Sequence, residues 1–328
     1  MISVVGITQG QRVPSTRFRW SQYREDLTGH GFDVSELTST FGAYPPVSLA
    51  RRPAWLAASS AQSLWRVLRS RRHDLRFLQR NLIATLCSGE PLLRRPFVFD
   101  VDDAIFLGKR GASADRIARS AALIICGNAF LAEHFSRYGR VEVLPTAVDT
   151  SRFVPRGGPP PARPVIGWSG SSSGLKYLEG IEPAIRVLLE RTPDLLFKVV
   201  SDRRPAFRTL PPDRILFEPW RPEREAAVLH EFSVGIMPLQ DDPWARGKCS
   251  FKMLSYMAAG VPVVVSPVGM NAEVLAQAPC GLPASSIDDW VDALESLLSQ
   301  SSLAARMGRA GRQLVEMNYA RRIVGHRL

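Results

Sequence analysis

The sequence lacks the features that mark several common classes of protein. No run of eighteen apolar residues occurs in its 328 residues, so no membrane-spanning helix is expected. Its four cysteines, Cys87, Cys126, Cys249 and Cys280, are widely spaced, without a CxxC pair or a neighbouring pair of histidines. This spacing argues against a zinc site and a disulfide framework, and it indicates a reducing, cytoplasmic setting. The first ten residues, MISVVGITQG, lack a basic segment and a cleavage site and therefore predict a strand, not a signal peptide.

The composition is that of a globular chain with a basic balance. Hydrophobic residues make up 45% of the chain, which is enough to bury two cores, and the length allows two domains. The 42 Lys and Arg residues exceed the 31 Asp and Glu residues, so the formal net charge is +11. Such a charge suits phosphate-bearing substrates, acidic lipid or nucleic acid. A nucleic-acid-binding module is supported by this charge alone, because no recognition motif accompanies it.

Strand-like apolar runs alternate with helical patterns, which predicts parallel α/β layers. The predicted strands cover 3–7, 75–78, 97–100, 123–126 and 141–144 in the first half, and 165–168, 196–200, 215–218, 234–237 and 263–265 in the second. Helices are predicted over 17–28 and 129–138. The segment RGGPPP at 156–161 predicts a linker between the halves. In such sheets, ligands bind outside the carboxyl ends of the strands.

The most informative stretch is DDPWARGKCSFKMLSYMAAGVPVVVSPVGMNAEV at 241–274. Arg246, Lys248 and Lys252 lie at the start of a predicted helix that runs to about Ala259. Cations beside the free N–H groups of a helix start form an anion site. Taken by itself, the pattern is better explained by a solvated basic turn.

Three segments together resemble family 4 glycosyltransferases of the GT-B class. The pattern RGKCxFKxLxYMAxGxPVV at 246–264, followed by SPVGxNxEV at 266–274, is similar to the C-terminal signature of that family. NAFLAEH at 128–134 and LPTAVDTSRF at 144–153 resemble its interdomain segment. IGWSGS at 166–171, with LKYL at 175–178, resembles the first strand and phosphate loop of its C-terminal domain. The resemblance covers most of the chain from Phe97 onward.

The resemblance implies an α/β GT-B fold with two Rossmann-like domains that face each other across a cleft. Residues 1–157 would form the acceptor-side domain, 158–312 the nucleotide-sugar-binding domain, and 313–328 a helix that returns to the N-terminal domain. The implied reaction moves a sugar from a nucleoside-diphosphate sugar to a hydroxyl of a glycan, lipid-linked or small-molecule acceptor, with retention. The resemblance implies neither a metal nor another cofactor.

The resemblance also assigns the donor site. Lys248 and Lys252 would neutralise the departing diphosphate, where preorganised cations act most strongly in the transition state. Arg246 would make a bidentate contact with the same group. The remaining implied donor contacts are Gly10, Ser169, Gly170, Ser171, Trp220, Ser255, Gly269, Met270 and Asn271. For Trp220, packing within the domain is an alternative to stacking on the base.

The sequence departs from the family at two positions. The family carries two glutamates eight positions apart in this signature, whereas this chain has Gly247 and Ser255. We interpret the departure as a divergent subgroup that retains activity. A catalytically silent, glycosyltransferase-like scaffold protein is the alternative.

The segment FDVDDA at 99–104 places three carboxylates after a strand in the first half. Such carboxylates bind Mg²⁺, act as acid and base, or cap a turn. The resemblance makes Asp103 a substrate contact in the catalytic set and Asp102 a contact to the acceptor. It also makes Arg17 and Arg19 anion contacts, although Arg17 fits an ordinary first-turn helix residue as well.

Residues 51–72 contain six arginines and no acidic residue. Trp55, Leu56, Leu64, Trp65 and Leu68 are interspersed among them, which predicts a basic amphipathic helix at an anionic membrane surface. A helix that packs its apolar stripe on the N-terminal domain explains the same pattern. The peripheral site would be the inner face of the cell membrane.

Overall fold

The structure is a computed structural model that describes residues 1–11, 13–42, 44–84, 86, 88–107 and 111–328. Cys87 therefore lies outside the described residues, while Cys126, Cys249 and Cys280 are buried free thiols. No helix within these ranges is long and apolar enough to cross a membrane. The chain forms two compact units. Unit 1 comprises Met1–Ala147, Arg246–Cys249 and Val324–Leu328, and unit 2 comprises Val148–Ala245 and Ser250–Ile323.

Unit 1 contains a six-stranded sheet with the order β2-β1-β3-β4-β5-β6, in which every neighbouring pair is parallel. Its strands are β1 (Ile2–Thr8), β2 (Phe32–Thr38), β3 (Leu75–Gln79), β4 (Phe97–Val101), β5 (Leu123–Cys126) and β6 (Val141–Val143). Its helices are α1 (Pro14–Arg19), α2 (Arg24–Gly29), α3 (Arg52–Ser70), α4 (Ala112–Ala118) and α5 (Ala129–Phe135). The five strands predicted in this half are confirmed.

One helix predicted in unit 1 is wrong. Instead of a single helix over 17–28, the chain forms α1, a 3₁₀ turn at Ser21–Tyr23 and α2. The break lies at Trp20, whose indole is buried in the core and occupies the space where a side chain at Gly6 would stand. Burying a tryptophan there is worth more than continuing the helix, because aromatic side chains contribute the largest apolar areas.

Unit 2 contains a second six-stranded parallel sheet, with the order β12-β11-β10-β7-β8-β9. Its strands are β7 (Val165–Ser169), β8 (Leu196–Ser201), β9 (Ile215–Pro219), β10 (Val234–Met237), β11 (Val263–Val265) and β12 (Gly281–Pro283). Its helices are α6 (Leu175–Gly180), α7 (Glu182–Arg191), α8 (Pro243–Arg246), α9 (Phe251–Ala258), α10 (Met270–Leu275), α11 (Ile287–Ser299), α12 (Ser301–Leu314) and α13 (Arg321–Gly325), of which α8 and α13 end in unit 1. The five strands predicted in this half are confirmed.

Chain order reverses within each sheet, between β1 and β3 in unit 1 and between β7 and β10 in unit 2. At such a reversal, the loops after the two strands leave in opposite directions and open a crevice at the carboxyl ends. The two α/β halves with Rossmann-like order are as predicted. In each unit, the residues that follow these two strands are therefore the candidates for ligand contact.

The units divide the chain before the predicted boundary at 157. Residues 148–156 belong to unit 2, and hydrogen bonds explain why. The N–H of Val148 donates to the carbonyl of Tyr319 at 2.9 Å, and Arg312 donates to the carbonyl of Phe153. At the other end of the chain, only Val324–Leu328 joins unit 1, where Arg327 donates to the carbonyl of Val143 at 2.8 Å.

Candidate functional site

The end of β7 presents the loop Ser169–Gly170–Ser171, as the resemblance implies for a phosphate loop. The N–H of Ser169 donates to the hydroxyl of Tyr256 at 2.8 Å, and the N–H of Gly170 donates to the carbonyl of Val200 at 3.0 Å. These two amides thus complete the unit's own structure. What the loop offers a ligand is the hydroxyls of Ser169 and Ser171, the latter at the surface and 2.9 Å from the hydroxyl of Ser173.

Lys252 lies in the first turn of α9 and points over the β7 loop. Its Nζ is 5.6 Å from the centre of the buried Trp168 ring, a geometry in which the ring face attracts the cation. Gly170 makes this placement possible, because a side chain there would overlap the Cε of Lys252 and come within 2.9 Å of Trp168. The structure therefore brings together Ser169, Gly170, Ser171 and Lys252 in unit 2.

The first turn of α10 supports the start of α9. Ser250 precedes α9 with a left-handed φ of 49°, and its hydroxyl donates to Oδ1 of Asn271 at 2.6 Å. The amide of Asn271 donates to the carbonyl of Ser266 at 3.0 Å, and the residue is fully buried. Met270 is also buried, whereas Gly269 is half-buried with a φ of 54°. Of these three predicted donor contacts, Gly269 is the most accessible.

Ser255 and Trp220, two further donor contacts implied by the resemblance, are not fully exposed. Ser255 is buried, and its hydroxyl donates to the carbonyl of Phe251 one turn earlier at 2.7 Å. Trp220 is half-buried after β9, and its backbone N–H donates to the carbonyl of Ser201 at 2.9 Å. The hydroxyl of Ser255 is thus committed as a donor to its own helix.

The departure at Gly247 has a steric cause. The segment Arg246–Cys249 belongs to unit 1, so Lys248 and Lys252 fall in different units. A Cβ at Gly247 would lie 2.6 Å from the Cβ of Ala104 and 2.9 Å from its backbone nitrogen. Since backbone cannot yield as a flexible side chain does, this position admits no glutamate without moving the loop after β4. Within the segment, Arg246 is exposed and Lys248 is half-buried.

In unit 1, Arg19 is buried instead of exposed to an anion. Its guanidinium contacts the carboxylate of Asp100 at 2.5 Å and donates to the carbonyl of Leu144 at 2.6 Å. Burial alone would lower the pKa of Arg19, but the Asp100 carboxylate outweighs it and raises the pKa. This environment favours an architectural role for Arg19 over contact with an anionic substrate.

Sequence reasoning missed Arg80, which follows β3 and contacts both predicted aspartates. Its Nε lies 2.5 Å from Asp102, and its Nη2 lies 2.6 Å from Asp103 and 2.8 Å from the hydroxyl of Ser15. Burial would raise the pKa of Asp102, but Arg80 outweighs it and lowers the pKa. Arg80 has a left-handed φ of 53°, a conformation that costs free energy and clusters at functional sites. Its signal in the sequence is its position, two residues past the strand predicted at 75–78.

The remaining predicted residues of unit 1 lie near the end of β1. Gly10 is half-buried with a φ of 92°, a backbone conformation that favours glycine. Arg17 is half-buried in α1, with its guanidinium 4.6 Å from the centre of the Phe18 ring. Among the residues that the structure describes, no group of three or more His, Cys, Asp or Glu side chains could hold a metal ion.

The helix predicted over 51–72 is α3. Unlike an ordinary surface helix, it exposes most of its large apolar side chains and buries small ones. Its buried face consists mainly of small residues, Ser59, Ser63, Val67 and Ser70. Leu56, Leu64, Trp65 and Leu68 are instead 42–55% exposed. Arg66 also faces inward, where burial lowers its pKa to about 10. Trp55 of the same stripe is half-buried and donates through its indole N–H to the carbonyl of Phe41 at 2.9 Å, so the apolar stripe is packed on unit 1 only in part.

Known proteins resemble this chain in sequence over one part and in fold over its whole length. Residues 163–300 match the model of the family described as glycosyl transferases group 1. No curated protein sequence matches the chain. Sucrose-phosphate synthase from Thermosynechococcus elongatus has a similar structure, with a TM-score of 0.73 and 13% identity over 100% of this chain and 97% of that chain.

Two other solved structures have the same fold. The Anabaena protein Alr3699/HepE in complex with UDP and glucose has a TM-score of 0.70 and 13% identity over 100% of this chain and 98% of that one. WaaG, a glycosyltransferase involved in lipopolysaccharide biosynthesis, has a TM-score of 0.67 and 12% identity over 100% of this chain and 98% of that one. The fold is GT-B, and the match over 163–300 together with this fold supports a GT-B glycosyltransferase.

Proposed function

We propose that this protein is a retaining glycosyltransferase of family 4, in a divergent subgroup, that uses a UDP-sugar as donor. The observation that carries the proposal is Lys252, in the first turn of α9 above the Gly170 loop, inside the segment that matches the glycosyltransferase family model. A lysine at a helix start attracts a diphosphate through both its charge and the helix dipole. UDP is the proposed carrier because structures of this fold are described as complexes with UDP.

The proposed roles divide the reaction into leaving-group stabilisation and acceptor binding. Lys248 and Lys252 neutralise the charge that develops on the diphosphate as the glycosidic bond breaks, with Arg246 and the Ser169 and Ser171 hydroxyls as further donors. The leaving phosphate accepts the proton of the acceptor hydroxyl. Asp103, held by Arg80, accepts a hydrogen bond from the substrate. Residues 1–157 would supply the acceptor side, 158–312 the donor side, and 313–328 the closing helix.

The test is binding of nucleoside diphosphates to the purified protein. Calorimetry with UDP, GDP, dTDP and ADP should show binding of UDP, and Lys252→Ala should weaken it at least tenfold. Arg309→Ala, an exposed residue of α12, removes the same charge elsewhere in unit 2 and should leave the affinity unchanged. UDP release from UDP-sugars then identifies the sugar. A well-folded protein that binds none of the four nucleotides would refute the proposal.

We further propose that α3 holds the enzyme on an anionic membrane at the cytoplasmic face, where a lipid-linked glycan acceptor would be found. Trp65 and Leu68 are 55% and 46% exposed, and Arg69, Arg71 and Arg72 are exposed beside them. Apolar side chains enter the boundary between head groups and acyl chains, while each arginine near an anionic surface contributes about 1 kcal/mol. The exposed apolar face is the feature that a merely solvated basic helix would lack.

Vesicle flotation tests the membrane proposal. The protein should float with vesicles that contain phosphatidylglycerol and remain unbound with pure phosphatidylcholine. Trp65→Ser/Leu68→Ser should abolish flotation, whereas Arg306→Glu/Arg309→Glu on α12 should retain it. Flotation of the Trp65 and Leu68 variant with anionic vesicles would show that α3 is not the contact.

A further inference from the structure

The buried amide of Asn128 links two distant segments of unit 1. Its Oδ1 accepts a hydrogen bond from the N–H of Leu131 at 2.9 Å and so caps α5. Its Nδ2 donates to the carbonyl oxygens of Arg246 and Lys248, each at 3.1 Å. Asn128 is only 2% exposed, and these bonds engage both hydrogens of the amide and its oxygen. The side chain is thus fully committed to α5 and to the residues on either side of Gly247.

Other contacts hold the same segment in place. The thiol of Cys249 donates to the carbonyl of Asp102 at 3.2 Å, and burial raises the pKa of this thiol, so it stays protonated as a donor. Gly127 leaves the room that the Cys249 sulfur occupies, since a side chain at 127 would overlap it. Gly247 lies against the backbone of Ala104. Residues 246–249 therefore rest on a platform formed by the loops after β4 and β5.

We propose that Asn128 is the positioning residue for Lys248. By holding the carbonyls on both sides of Gly247, it fixes the one backbone position in this segment that would otherwise be most free to rotate. The Lys248 side chain then begins from a fixed backbone, and the ordering cost is met during folding and not when the donor binds. This inference rests on the proposed role of Lys248 at the diphosphate.

Asn128→Asp separates the two functions of the side chain. Aspartate is as good an N-cap as asparagine, so α5 keeps its cap. The two N–H donors, however, are replaced by a carboxylate oxygen that faces two carbonyl oxygens, and this repulsion releases residues 246–248. We expect UDP affinity to fall about tenfold. Asn128→Ser, which keeps a capping hydroxyl and adds no charge, should give a fall of the same direction.

The control is Asn318→Asp, which makes the same change at an exposed asparagine of unit 2. It adds the same negative charge to a basic protein and should leave UDP affinity unchanged. Amide hydrogen exchange provides a second measurement that needs no ligand. Exchange at Gly247, Lys248 and Cys249 should accelerate in Asn128→Asp and remain at the wild-type rate in Asn318→Asp.

A double-mutant cycle decides whether Asn128 acts through Lys248. Lys248→Ala should weaken UDP binding, and adding Asn128→Asp should weaken it no further, because the residue being positioned is gone. An equal loss in both backgrounds, or unchanged exchange at 247–249 in Asn128→Asp, would overturn the inference. Failure of the proposed function looks different. The wild-type protein would then bind no nucleotide, while the exchange measurement would still support or refute the hold on the segment.

Discussion

The carboxyl ends of the two sheets differ in what they do with charge. In unit 1, Arg19 and Arg80 form ion pairs with Asp100, Asp102 and Asp103 near the carboxyl ends of β3 and β4. In unit 2, the loop after β7 is serine and glycine, and one lysine lies over a tryptophan ring. Both sheets have parallel strands and a reversal of chain order, so the topology does not explain the difference.

The difference teaches that charge at a strand end is a poor guide to ligand binding unless its partners are known. Arg19 is buried by Asp100 and a carbonyl, which leaves it little capacity for a substrate. A buried charge must be paired, because desolvation of an unpaired ion costs several kcal/mol or more. The loop after β7 is lined by small residues, so a ligand can approach closely. The buried pair of Arg19 and Asp100 at the unit 1 edge therefore holds structure, and the unit 2 edge is built for access.

The largest effect should come from breaking the buried pair of unit 1. Asp100→Asn leaves the guanidinium of Arg19 buried without its counter-charge, which should lower the free energy of unfolding by about 3–5 kcal/mol. Denaturant-dependent hydrogen exchange in β4 and β5 measures this loss within unit 1, since a single midpoint is not well defined for a chain of two units.

The matched control for this pair is Glu142→Gln, which breaks an exposed ion pair with Arg140 in the same unit. Glu142→Gln should change the free energy of unfolding by no more than about 1 kcal/mol, as for other exposed ion pairs. Replacing both buried partners, as Arg19→Met/Asp100→Leu, should recover part of the loss because no unpaired charge remains. If Asp100→Asn were no more destabilising than Glu142→Gln, the architectural reading of this edge would be wrong.

A smaller effect with a pH signature should follow from Arg80→Gln. At pH 7 the variant should lose about 1–3 kcal/mol of stability, because two carboxylates lose a charged partner. The folded-state pKa of Asp102 is lowered, so the stabilisation is present above the unfolded pKa of about 3.9 and is lost as the pH falls through the folded value. The difference between variant and wild type should therefore shrink in acid.

Denaturant-dependent hydrogen exchange in β3 and β4, at pH 7 and at progressively lower pH, checks this prediction within unit 1. Arg140→Gln, which removes an arginine from the exposed pair, serves as the control and should change little at any pH. A stability difference for Arg80→Gln that stays constant into strong acid would show that its aspartate contacts contribute little. Arg80 would then stabilise unit 1 through packing and not through its charge.

Much of the fold was predictable because the central strands are apolar runs in both halves. The two strands that escaped prediction, β2 and β12, lie at sheet edges. In β2, Phe32–Thr38, apolar and polar residues alternate only over 32–35, because Ser35 and Glu36 are both polar, so the strand signal is weak. In β12, Gly281–Pro283, three residues containing glycine and proline offer no local signal. Position at an edge is not the whole reason, because the other two edge strands, β6 and β9, were predicted.

The site was less predictable, because its partners come from distant parts of the chain. The basic loop and Gly170 were predicted from motifs, whereas the contacts of Arg80 with Asp102 and Asp103 arise only when β3 and β4 lie side by side. The sequence showed Gly247 only as a departure from the glutamate of the family pattern. The backbone of Ala104, which lies against it, shows why no side chain fits. Asn128 was noted only as the first residue of the segment NAFLAEH, and its hold on residues 246–248 joins segments 118 and 120 residues apart.

The smallest change, one methyl group at the unit 2 edge, should separate access from stability. Gly170→Ala adds a Cβ that would overlap the Cε of Lys252 and lie 2.9 Å from Trp168. The lysine chain is flexible and can move aside, and the buried Trp168 ring must shift by a few tenths of an ångström, so stability should fall by no more than about 1 kcal/mol. Its Nζ would leave the Trp168 face, and UDP affinity should fall about tenfold, or ~1.4 kcal/mol. Calorimetry measures the affinity, and denaturant-dependent hydrogen exchange within unit 2 measures the stability.

Gly180→Ala is the matched control, because a side chain at Gly180 meets nothing within 4 Å and the residue lies in the same unit. It should leave both quantities unchanged. Unaltered UDP affinity in Gly170→Ala would mean that the position of Lys252 over Trp168 does not matter to the diphosphate. A large loss of stability would mean that the unit 2 edge is as tightly built as the unit 1 edge. Reduced affinity with little change in stability is the one result that supports an edge kept open for a ligand.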